Sequence, residues 1–73
     1  MHRMEKLVFY GRTEAEIEDR FMEWQQANVG SARDVKKRPI EPLPATMKPL
    51  LLQHQKIDAL DAFSMLVEYE RLH

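Results

Sequence analysis

A chain of 73 residues has room for one domain and a modest core, and without cysteine that core has neither a disulfide nor a thiolate metal site to staple it. A formal net charge of −1 excludes a global field that would draw in nucleic acid or an anionic membrane, while 44% apolar and 32% charged residues exclude a disordered chain. No apolar run approaches the ~20 residues that span a bilayer, and Leu7 to Tyr10 is too short for the core of a signal peptide. The expectation is a cytoplasmic protein with no membrane partner.

Residues 5–10 read as a strand. Leu7, Val8, Phe9 and Tyr10 favour extended backbone in a run too short for a helix. Alternation sends Leu7 and Phe9 to one face and Val8 and Tyr10 to the other, so both faces are expected to be covered. Gly11 ends the strand at a tight turn.

Thr13 opens a helix predicted over 13–28. Thr13-Glu14-Ala15-Glu16 matches a capping box, in which the Thr13 hydroxyl accepts from the Glu16 amide and the Glu16 carboxylate reaches back. Glu14, Glu16 and Glu18 suit the positive end of the helix dipole. Ile17, Phe21 and Trp24 form one apolar stripe, read as core, and Gly30 is the expected left-handed stop.

Pro39, Pro42 and Pro44 exclude a helix from the segment 31–45. Within it, 34–38 is either a second strand or part of a loop. As a strand it would complete a parallel crossover with the first, at an edge because of Pro39. The segment also carries the basic cluster Arg33, Lys36, Lys37 and Arg38.

From about 47 to 72 the apolar residues recur at spacings of three and four, with Pro49 in a first turn. This predicts a long C-terminal helix, kinked or split near the polar residues 53–56. Leu50, Ile57, Leu60, Phe63, Val67 and Tyr69 would lie on an apolar arc wider than one packed neighbour needs. The expected fold class is therefore α+β and helix-dominated: short strand, capped helix, proline-rich extended segment, long helix.

No residues converge in the way catalysis requires. Acid pairs such as Glu14 and Glu18, or Asp61 and Glu68, lack a nucleophile and an oxyanion hole, so no enzyme is expected. His54, Asp58 and Asp61 have helical spacing for metal ligands, but His2 and His73 sit in tails. A solvated polar face is the better reading, with no metal and no cofactor. The apolar arc points to a non-enzymatic module that docks on another protein as an adaptor, inhibitor or assembly factor, with Leu50, Ile57, Leu60, Phe63, Val67 and Tyr69 at the interface. The small core points to a homodimer as well. The alternative is a small nucleic-acid-binding regulator that contacts phosphates through Arg33, Lys36, Lys37 and Arg38.

Overall fold

In the computed structural model, residues 3–55 and 57–72 are described. The reading of His2 and His73 as tails, and Lys56 within the polar stretch, fall outside these residues. The elements in order are β1 (Arg3–Gly11), α1 (Glu14–Ala27), β2 (Ala32–Lys37), β3 (Glu41–Pro42), α2 (Lys48–His54) and β4 (Phe63–Arg71).

The C-terminal third is where the sequence reading fails. No long helix spans 47–72, and the molecule is dominated by its sheet rather than by helix. α2 stops at His54, within the region expected to kink, and Phe63–Arg71 is a strand. The reason lies in a second periodicity in the same residues. Phe63, Met65, Val67 and Tyr69 alternate with Ser64, Leu66, Glu68 and Glu70, and the first set faces the core. The helical spacing of Leu60, Phe63 and Val67 coincides with this alternation at two positions. Strand pairing on both sides of the segment decides between them.

β4 is the central strand. It pairs antiparallel with β1 along an unbroken register from Arg3↔Arg71 to Gly11↔Phe63. On its other side it pairs antiparallel with β2 and then with β3. Arg38 donates to the Leu66 carbonyl at 2.9 Å and Leu43 to the Ala62 carbonyl at 2.8 Å, so 32–43 follows β4 as one interrupted strand. The interruptions fall at Asp34, which has φ 54°, and at the prolines, which offer no amide to the ladder. Since β1 and β2 both run against β4, they are parallel to each other. The crossover expected from strand, helix and strand exists, but β4 lies between its two strands.

α1 covers one face of the sheet. Ile17 and Phe21 from α1 are buried with Met65 and Val67 from β4, and Phe9, Trp24, Val35, Ile40 and Phe63 pack around them. Phe9, Phe21 and Trp24 form an aromatic cluster with centroids about 6 Å apart. The Thr13 hydroxyl accepts from the Glu16 amide at 3.1 Å, the first half of the capping box. The Glu16 carboxylate turns instead to Arg20, 2.7 Å away. Gly30 is not the helix stop. α1 ends at Asn28, whose side-chain amide donates to the Trp24 carbonyl at 2.8 Å, and no glycine among the described residues has positive φ.

Among the described residues no helix packs over the opposite face of the sheet, so β1 is not covered on both sides. Val8 is 37% exposed there and Met4 63%. Among the described residues Tyr10 alone is buried on this face, with its hydroxyl donating to Gln55 at 2.7 Å. That bond tethers the end of α2, in which no residue is buried. The Cα radius of gyration is 13.0 Å, against about 11 Å expected for a compact chain of this length. The molecule is correspondingly drawn out, 37 × 23 × 18 Å.

Candidate protein-docking face

The helix-free face is built by alternation along three strands. Met4, Lys6, Val8 and Tyr10 of β1 stand opposite Glu70, Glu68, Leu66 and Ser64 of β4. Arg33 and Lys36 of β2 stand opposite Glu70 and Glu68 on the other side. Val8 and Leu66 form an apolar floor, with the charged row Lys6, Glu68 and Lys36 on one side and Tyr10, Ser64 and Glu41 on the other. A shallow groove of about 500 Å³ runs over this floor, bordered by Lys6, Arg38, Pro39, Glu41 and Glu68.

The charges on this face are unequally satisfied. Arg38 lies 3.0 Å from the Glu68 carboxylate, and Arg33 lies 3.2 Å from Glu70. Lys6 and Lys36 form no ion pair among the described residues. Two lysine ammoniums therefore flank carboxylates that arginines already hold.

The residues named from the sequence are scattered by the fold. Val67 is fully buried under α1, and Phe63 packs against the same core. Tyr69 meets Trp24 edge to face. Leu50 on α2 and Leu60 in the turn before β4 are exposed, at 59% and 61%, and Ile57 is half-buried. They share no helix, so the single arc imagined for them does not exist. The basic cluster stays together along β2, but three of its four cations have carboxylate partners: Arg33 with Glu70, Arg38 with Glu68, and Lys37 with Glu18 at 3.0 Å. Lys37 also lies over the Phe21 ring, on the α1 side of the sheet.

His54, Asp58 and Asp61 are likewise separated from any common helix. Asp58 forms a turn: its carboxylate accepts from the Leu60 amide at 2.9 Å, while its own amide donates to Asp61 at 3.0 Å. The Leu60 amide, with Arg12 beside it, holds the Asp58 carboxyl below the usual range. Asp61 is buried, and no three acidic or imidazole groups converge on a metal-sized site among the described residues.

Met4, Lys6, Val8 and Leu66 were not singled out by sequence reasoning. Lys6 and Val8 were legible as alternate positions of the strand predicted over 5–10, while Met4 lies before it. Leu66 required knowing that β4 is a strand. No protein-family model matches this chain, nor does any curated protein or solved structure.

Proposed function

We propose that this is a non-enzymatic protein-interaction module, an adaptor, inhibitor or assembly factor, that docks through the helix-free face of its sheet. The occupant we assign is an amphipathic helix of another protein, with an apolar stripe and carboxylates along its rim. The observation that carries this is the apolar row of Val8 and Leu66 beside the ammoniums of Lys6 and Lys36, which form no ion pair among the described residues. A sheet with one face under a helix gains most by burying the other face under a second layer. Carboxylates on that layer would meet lysines that form no ion pair among the described residues.

Nucleic acid is less well supported as the occupant. Arg33, Lys37 and Arg38 are already neutralised by carboxylates, and Tyr10, the aromatic residue of this face, is buried rather than displayed for stacking.

The test is a displayed library of amphipathic helices, with and without acidic rims, selected against the chain. Acidic-rim helices should be enriched, and their amide shift changes should cluster at Met4, Lys6, Val8 and Leu66. Leu66→Lys should abolish binding and Lys6→Glu should weaken it. Binding that maps to the outer surface of α1 would sink the reading. So would salt-sensitive binding of DNA or RNA that vanishes when Arg33, Lys36, Lys37 and Arg38 become alanine.

A further inference from the structure

The two edges of the sheet are built differently. The β2–β3 edge is broken by the irregularity at Asp34, by Pro39 and by Pro42, and it carries Lys36. These are the devices by which sheets refuse another strand. The β1 edge has none of them apart from Lys6. It runs over nine residues without proline or register shift.

The backbone direction along β1 follows from the bonds on β4. The Leu66 carbonyl accepts from Arg38 and the Leu72 amide donates to Ser31, both on the β2–β3 side. In an antiparallel ladder the amide and carbonyl of one residue point the same way, and the next residue points the other way. The odd residues of β4 therefore face the odd residues of β1. Met4, Lys6, Val8 and Tyr10 direct their amides and carbonyls outward, away from the sheet. One of these groups is already used: the Tyr10 carbonyl accepts from the Arg20 guanidinium, which reaches over from α1.

We infer that β1 pairs antiparallel with β1 of a second copy of this chain, about a two-fold axis through Leu7. This inference uses the edge of the sheet rather than its face and does not rest on the docking reading. Charge and strand length select the register. An axis through Glu5 or Lys6 would oppose identical charges, which is destabilising. An axis through Val8 would pair only residues 5–11 of the strand, whereas one through Leu7, the midpoint of Arg3–Gly11, engages all nine. An axis through Leu7 places Lys6 opposite Val8, with both exchanging amide–carbonyl bonds. It also sets Met4, 63% exposed in one chain, opposite Tyr10 of the other, whose amide can donate while its carbonyl stays with Arg20. Leu7 meets Leu7 at a non-hydrogen-bonded position, where the Cα atoms lie about 4.5 Å apart.

That geometry can be tested by cross-linking, because the chain has no cysteine of its own. A Cα separation of about 4.5 Å falls within disulfide range. Leu7→Cys should therefore give a disulfide-linked dimer on mild oxidation, while Lys6→Cys should not. Light scattering after size exclusion should give twice the chain mass of 8.7 kDa at high concentration. Val8→Pro, which removes an outward amide at an edge where proline is tolerated, should give a monomer with unchanged far-ultraviolet circular dichroism. A monomer at every concentration would overturn the proposal. So would a dimer whose Lys6→Cys variant cross-links in preference to Leu7→Cys. Leu66→Lys lies off the edge and should leave the mass unchanged, so loss of docking and loss of pairing are read separately.

Discussion

Trp24 of α1 and Tyr69 of β4 meet edge to face, with ring centroids 4.8 Å apart. The contact joins the last turn of the helix to the far end of the central strand. Through Trp24 it connects Tyr69 to Phe9 and Phe21, so aromatic packing runs along the whole covered face.

Phe21 is the member of this cluster most deeply buried, and Phe21→Ala should cost about 3–5 kcal/mol. That is comparable to the whole stability of a small domain, so the variant should be largely unfolded at 25 °C. Trp24 and Tyr69 are only partly buried, and truncating either should cost less while leaving a folded protein. Urea titrations followed by circular dichroism would rank the three, and a Phe21→Ala variant as stable as the parent would contradict the packing described.

Gly11 stands where β1 meets α1. A Cβ at this position would lie 2.8 Å from Cγ1 of Ile17, itself completely buried. Gly11→Ala should therefore destabilise through overpacking, by about 1–3 kcal/mol. The companion Gly30→Ala should be close to neutral, because nothing lies within 4 Å of its would-be Cβ. Equal effects of the two substitutions on the melting temperature would rule out the close approach.

The Thr13 cap offers a smaller and cleaner measurement. Thr13→Ala removes the acceptor for the Glu16 amide and should cost ~1 kcal/mol. In a domain of this size that is a fall of about 4–8 °C in Tm. Thr13→Ser should recover most of it.

Alkaline titration reads Tyr10. Burial pushes its phenol above the ordinary value, since the anion is less well solvated there. The folded state therefore keeps the proton at a pH where the unfolded chain has lost it. The stabilisation is complete below the unfolded value of about 10 and declines as pH rises above it. Tyr10→Phe should lower stability at neutral pH by removing the bond to Gln55, and should flatten the decline above about pH 10. An unchanged alkaline profile would remove Tyr10 as its source.

The first half of the fold is visible in the residues themselves. Local signals suffice for β1 and α1: a run of strand formers, a glycine, a cap and a stripe with one period. Segment 32–37 is harder, because Val35 is its one large apolar side chain and its partner lies thirty residues away. The last third misleads for a physical reason. Leu60, Phe63 and Val67 fit a helix, while Phe63, Met65, Val67 and Tyr69 fit a strand. Only the backbone partners on both sides of β4, which no local pattern encodes, choose the second. The candidate face inherits the same blindness. Val8 was legible as a strand residue, but its exposure depends on where α1 and α2 settle.

The broken edge along β2 and β3 has a consequence for assembly size. A sheet that offers a clean strand on both sides can add subunits without end, and a fibre results. Here Asp34, Pro39 and Pro42 close one side to backbone pairing. Whatever strand β1 accepts, the ladder has nowhere to continue, and growth terminates after a single addition. The prolines that look like mere linker in the sequence act as the chain terminator of a polymerisation that never begins.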